Sequence, residues 1–246
     1  ILISKNMIKL DAKRYNFSKD EFNFFWENGY IIIKNLFSHE ETSRIYQTFK
    51  DNADKDFSAI INLDRKIPEL QNIMKMPRIV SIIESMLEGE AYGLMTQMLF
   101  KQANSRYAGQ SWTIHQDNSY HQSPNGKTIT INLACEDADK ENGALFLYPG
   151  THKEGIIPYE GRKSFREDKG KQPGNTLILP EKYRDKKTDC VMKKGDVLFL
   201  HGNCVHGSYP NNSKSRSRPL YSITYIKKGE PFAVGKSANR KEFSLH

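Results

Sequence analysis

From Tyr92 onward the sequence breaks into short runs of β-branched, aromatic and leucine-rich residues, separated by stretches rich in Gly, Pro, Asn and Asp. The runs fall at 94–100, 128–133, 144–148, 176–179, 196–200 and 220–226. No run buries itself alone, and several short strands at close intervals predict an all-β sandwich or barrel. The first third reads differently. Ser18 with Glu21, and Ser38 with Glu41, have the spacing of a capping box, in which each side chain satisfies the other's backbone N–H. They predict a helix that stops at Gly29 and a second that reaches about Phe49. Between them Tyr30-Ile31-Ile32-Ile33 predicts a buried strand. A third helix is expected from Pro77 to Gly89, with Ile79, Ile82, Ile83 and Met86 inward. One domain over 1–246 follows, mainly β with flanking helices: helical support over 1–90, a β core over 91–228 and a C-terminal tail over 229–246.

Composition narrows the function classes. The 246 residues are 37% hydrophobic and include 13 Phe and 12 Tyr, enough to bury a core and to exclude a disordered chain. The net charge of +8 raises the question of nucleic acid. Its Lys and Arg are dispersed and do not alternate with aromatics, so a polynucleotide platform is disfavoured. Three cysteines, Cys135, Cys190 and Cys204, have no CxxC spacing and fit a reducing compartment better than a disulfide framework. No apolar run approaches the roughly 20 residues that span a bilayer. The opening Ile1-Leu2-Ile3-Ser4-Lys5 is too short for a signal-peptide core and lacks an initiator Met. The expectation is a soluble cytoplasmic enzyme, a monomer or weak homo-oligomer, without membrane or nucleic-acid partners.

The densest cluster of metal-capable side chains is Trp112-Thr113-Ile114-His115-Gln116-Asp117. On a strand, residues two apart share a face, so His115 and Asp117 are expected to reach one ion. A third ligand would complete the two-His, one-carboxylate set that leaves open positions on Fe(II). A lone His-x-Asp arises easily by chance. Its weight comes from a second segment, where Gly195-Asp196 leads into an apolar strand and then His206-Gly207-Ser208. Arg216 and Arg218 follow, ahead of the strand at 220–226, and a guanidinium matches a carboxylate bidentately. His201 ends the apolar strand and reads as structural, His152 as fixing its own turn, and Asn142-Gly143 as a turn. Tyr120 and His121 face either the pocket or the surface.

In this order the motifs resemble the phytanoyl-CoA dioxygenase family of iron(II)/2-oxoglutarate oxygenases, over roughly Phe22 to Tyr225. The set includes Asn142-Gly143-Ala144-Leu145 and Pro149-Gly150-Thr151-His152. The resemblance implies a double-stranded β-helix, a jelly-roll and cupin-like core preceded by a helical N-terminal segment. It implies that His115, Asp117 and His206 hold Fe(II), with 2-oxoglutarate as co-substrate alongside O2. Arg218 would grip the far carboxylate of 2-oxoglutarate, assisted by Ser208, with Gln97 and Lys101 on a strand lining the co-substrate pocket. Counting forward from His206 leaves the loop one residue long, whereas counting back from Tyr225 selects Arg218 over Arg216. The chemistry implied is hydroxylation of an unactivated C–H of a small molecule, with release of succinate and CO2. Asn132 stands where many members carry a bulky aromatic, which enlarges or polarises the pocket. The polar segment at 153–187 is expected to act as a lid. Its Lys163, Arg166, Lys169 and Lys171 suggest an anionic substrate. The rival reading is a non-catalytic cupin-like module binding a metal or ligand, which needs neither the full triad nor Arg218.

Overall fold

The computed structural model describes residues 13–53, 59–163 and 174–246. Both capping boxes form. The Ser18 hydroxyl accepts from the Glu21 N–H at 3.2 Å while the Glu21 carboxylate accepts from the Ser18 N–H at 2.7 Å. Helix α1 (Lys19–Asn28) starts there and ends at Gly29, whose φ of 80° suits glycine. Strand β1 (Tyr30–Ile33) follows, and Ser38 with Glu41 opens α2 (His39–Asp51) in the same way. Next come β2 (Ala59–Ile61), α3 (Glu69–Met74) and α4 (Pro77–Leu87). Pro77 lies in the first turn of α4, where its missing N–H costs nothing. Ile79, Ile82, Ile83 and Met86 of α4 are fully buried.

The β region then supplies β3 (Ala91–Leu99), the short helix α5 (Asn118–His121), β4 (Thr128–Ala134) and β5 (Leu145–Leu147). It continues with β6 (Tyr159–Lys163), β7 (Gly174–Leu177), β8 (Thr188–Asp189) and β9 (Val197–His201). The last strands are β10 (His206–Ser208), β11 (Leu220–Lys227) and β12 (Phe243–Ser244). A large antiparallel sheet runs β1-β9-β4-β11-β3-β12, with β2 also paired to β3. A smaller sheet runs β10-β5-β8, and β6 pairs with β7. Leu198, Leu200 and Leu220 of the large sheet pack with Leu145 and Leu147 of the small one in a shared cluster. The two sheets are thereby joined face to face as the jelly-roll expectation requires.

Period-two alternation divides the large sheet between two tasks. Ile129, Ile131 and Leu133 of β4, Val197 and Phe199 of β9, and Tyr221, Ile223 and Tyr225 of β11 join one core with Ile79, Ile82, Ile83 and Met86 of α4. The intervening residues point the other way and include Thr130, Asn132, Ser222 and Thr224. Two boundaries differ from the sequence reading. The residues expected to be a tail pair through Phe243 with Gly93 and through Ser244 with Tyr92, and Leu245 is buried. Two residues of strand carry no periodicity, so this pairing left no local trace. The segment at 153–187 contains the β6/β7 pair and a 3-10 turn at Glu181–Lys186. The centre of the expected lid, with Arg166, Lys169 and Lys171, lies outside the described residues, as does any account of the Lys163 side chain.

Candidate active site

His115, Asp117 and His206 come together, their ligand atoms all within 4.8 Å of one another. The route differs from the one expected. Residues 111–117 form no strand: His115 makes an isolated antiparallel bridge to His206, with N–H to O distances of 2.9 and 3.0 Å in the two directions. Asp117 already has helical backbone angles and starts α5. A bridge followed at once by a helix start therefore sets the His-x-Asp geometry. Gln116 explains why the chain turns there. Its amide donates to the carbonyls of Gly155 and Asn203, each at 2.7 Å, and its carbonyl accepts from the Ile157 N–H at 2.8 Å. Gly207 is small for a packing reason: a Cβ would lie 2.7 Å from the Phe146 ring and 2.9 Å from the Trp112 carbonyl.

Each imidazole is held through its inner nitrogen. His115 Nδ1 donates to the Thr113 carbonyl at 2.7 Å, and His206 Nδ1 donates to the Cys204 carbonyl at 3.0 Å. This tautomer leaves both Nε2 lone pairs free, which lie 3.7 and 3.6 Å from one Asp117 oxygen. Burial, then the neighbouring His206, lower the His115 pKa to about 4. Burial works against charge on Asp117, but His206, His121, His115 and the Thr130 hydroxyl outweigh it and hold the carboxyl at about 2. At neutral pH the cluster thus presents a neutral imidazole at His115 and an ionised carboxylate, the protonation states a divalent cation needs.

The donor set lines a cavity of about 210 Å³ with Gln97, Leu99, Trp112, Tyr120, His121, Thr130, Asn132, Leu145 and Arg218. Tyr120 and His121, whose orientation was open in the sequence, face this cavity. Asn132 does so too, its amide oxygen accepting from the Ser222 hydroxyl at 2.6 Å. Arg216 and Arg218 separate cleanly. Arg216 is half-buried at the surface and paired with Asp139 and Glu141 at 2.6 Å each. Arg218 is 1% exposed, donates from Nε to the Gly143 carbonyl at 2.8 Å, and its buried Nη1 has no partner. Burial lowers its pKa to about 9.

Ser208 and Lys101 sit differently from the expectation. Neither lines the cavity. Lys101 lies beyond the end of β3 at a φ of 41°, and its ammonium donates to Ser208 Oγ at 2.8 Å, to the Tyr209 carbonyl and to the Gly143 carbonyl. Burial and the nearby Arg218 push its pKa well down. The Lys101 amino group braces this loop, tying Ser208 to the Tyr209 and Gly143 carbonyls. His201 accepts from the Asn203 N–H and packs against Trp26, and His152 donates to the Trp26 carbonyl, both away from the cavity. Asn142 bonds the backbone of Asp137, Asp139 and Ser217, as a turn-former should. The sequence reading missed Arg240, Ser237 and Ala238, which line the cavity from the C-terminal segment. They follow no motif, and long-range contacts bring them in: the β12 pairing and the bonds of this segment to His121, Asn62 and Leu94.

Fold and donor set define the class: a double-stranded β-helix built on the plan of non-haem iron oxygenases. The phytanoyl-CoA dioxygenase family model matches residues 25–220, and the chain belongs to that family. It is 30% identical over 209 residues to phytanoyl-CoA dioxygenase domain-containing protein 1 of Danio rerio, covering 84% of this chain and 65% of that protein. The chain thus spans just under two thirds of that relative's length. Among solved structures, EvdO2 of Micromonospora carbonacea complexed with 2-oxoglutarate matches with a TM-score of 0.73 at 17% identity, over 92% of this chain and 96% of that one. The epimerase SnoN, in complex with Fe3+, alpha-ketoglutarate and nogalamycin RO, matches with a TM-score of 0.71 at 16% identity, over 88% and 86%. These likenesses bear on the fold. Among the described residues, no helix is long and apolar enough to cross a membrane.

Proposed function

We propose that this chain is an Fe(II)- and 2-oxoglutarate-dependent dioxygenase that hydroxylates an unactivated C–H of a small molecule. One observation carries the reading: a two-His, one-carboxylate set with open Nε2 atoms shares a cavity with a buried guanidinium whose Nη1 lacks a partner. A non-catalytic cupin-like module has no use for that pairing. Iron(II) held by His115, Asp117 and His206 would supply activation of O2, coupled to conversion of 2-oxoglutarate to succinate and CO2.

The protein's own residues do the positioning. Carbonyl hydrogen bonds at Thr113 and Cys204 hold the two imidazole rings, and the Thr130 hydroxyl steadies Asp117. The empty donor of Arg218 matches a carboxylate that arrives from the cavity, which relieves the cost of a buried unpaired cation. Leu99, Leu145 and Met95 line the same space and limit water. The modest cavity favours a small substrate, or the small end of a larger one.

Anaerobic titration with Fe(II) and 2-oxoglutarate tests the reading through the weak metal-to-ligand charge-transfer band. The wild type is expected to develop the band, and His115→Ala and Asp117→Ala to lose it while keeping their fold by circular dichroism. Absence of the band in the wild type refutes the proposal.

A further inference from the structure

The cavity holds a second arginine that neither the donor set nor the co-substrate requires. Arg240 lines it, is 7% exposed, and its buried Nε has no hydrogen-bond partner. Nη1 donates to the carbonyls of Tyr120 at 3.1 Å and Ala233 at 3.0 Å, which pins one side of the guanidinium. The segment carrying it is built into the wall. The Ala233 N–H donates to the His121 carbonyl at 2.6 Å, the Asn62 amide to the Ala238 carbonyl at 2.8 Å, and the Lys241 N–H to the Leu94 carbonyl at 3.2 Å.

Strand β3 measures how far apart the two arginines are anchored. Leu99 pairs with Leu220, two residues from Arg218, whereas Leu94 receives Lys241, the neighbour of Arg240. Five residues of strand at about 3.3 Å each put these anchor points roughly 16 Å apart. The donor set lies close to the Arg240 anchor. Thr130, which bonds Asp117, pairs with Thr224, and Thr224 pairs with Met95 of β3. Tyr120, which anchors Arg240, has its ring 5.9 Å from that of His115. Arg240 thus stands beside the metal-capable cluster, and Arg218 is anchored toward the other end of β3.

We infer that Arg240 binds an anionic group of the primary substrate, a carboxylate or a phosphate, and sets which C–H faces the donor set. The inference rests on the proposed function only in assigning the Arg218 end to 2-oxoglutarate. A clamp that used Nη1 alone would leave a buried Nε–H desolvated for nothing. The fork of a guanidinium can pair side-on with an oxyanion through exactly that unused edge once a ligand arrives. The placement also agrees with the reading of an anionic substrate, on a residue the described structure contains.

Anaerobic calorimetry on protein loaded with Fe(II) and saturating 2-oxoglutarate tests this with three probes: hexanoate, its neutral isostere hexanamide, and hexyl phosphate. The wild type is expected to bind one or both anions and to bind hexanamide at least about tenfold more weakly, the scale of one charge-assisted hydrogen bond. Preference between hexanoate and hexyl phosphate then separates a carboxylate from a phosphoryl substrate. Arg240→Gln should erase the preference for anions without changing 2-oxoglutarate affinity, and Arg240→Lys, which keeps the charge, should retain part of it. Equal binding of hexanoate by wild type and Arg240→Gln overturns the inference. So does a loss of 2-oxoglutarate affinity in Arg240→Gln, which would place Arg240 at the co-substrate. If the wild type takes up no 2-oxoglutarate, the proposed function fails instead. The hexanoate and hexanamide pair run on Arg218→Gln then still reads Arg240 alone.

Discussion

The two faces of the large sheet are made of the same strands yet obey opposite rules. Ile129, Ile131 and Leu133 alternate along β4 with Thr130 and Asn132, and Tyr221, Ile223 and Tyr225 alternate along β11 with Ser222 and Thr224. The first set is buried against helices and stores stability as apolar area removed from water. From the second, Thr130, Asn132 and Thr224 line the cavity, and with them sit a neutral imidazole at His115, an ionised Asp117 and two guanidiniums lacking full partners. Such groups cost folding free energy and are kept where a ligand completes them. The helix-facing side holds the molecule together, and the cavity side spends some of that stability on a site.

Acid is expected to expose this contrast most strongly. Burial depresses the cavity histidines His115 and His121 to about 4, against an ordinary value near 6.5. Between pH 6.5 and 4 the unfolded chain binds protons that the native chain refuses. Stability therefore falls as pH falls, by up to about 1.4 kcal/mol per residue per pH unit. Urea melts of metal-free protein at pH 7 and pH 4.5 check this, and a flat profile would contradict buried neutral imidazoles. Phe199→Ala, on the helix-facing side, should cost about 3–5 kcal/mol with no selective effect on ligand affinity. Arg218→Gln should do the reverse. It should weaken 2-oxoglutarate binding at least about tenfold by calorimetry while leaving the melting temperature unchanged or raised. A large loss of stability in Arg218→Gln would break the division between faces. The smallest effect is expected from Ser222→Ala, which removes the 2.6 Å hydrogen bond to Asn132. A loss of about 1 kcal/mol, or about 2–4 °C in melting temperature, is expected.

What the amino-acid order determined alone was whatever depends on near neighbours. Ser18 with Glu21 and Ser38 with Glu41 declared two helix starts, and the β-branched and aromatic runs at 128–133 and 220–226 declared strands. The motif order around His115, Asp117 and His206 named the donors, because residue chemistry survives any change in backbone path. Tertiary structure decided how those donors meet: Asp117 comes from a helix start because Gln116 ties the turn to Gly155 and Asn203. It also decided that Lys101 braces a loop, that Arg216 stays on the surface, and that Arg240 enters the cavity. Each of these rests on hydrogen bonds between residues far apart in the chain. Such bonds add no periodicity to the sequence around them, so only the folded chain reveals them.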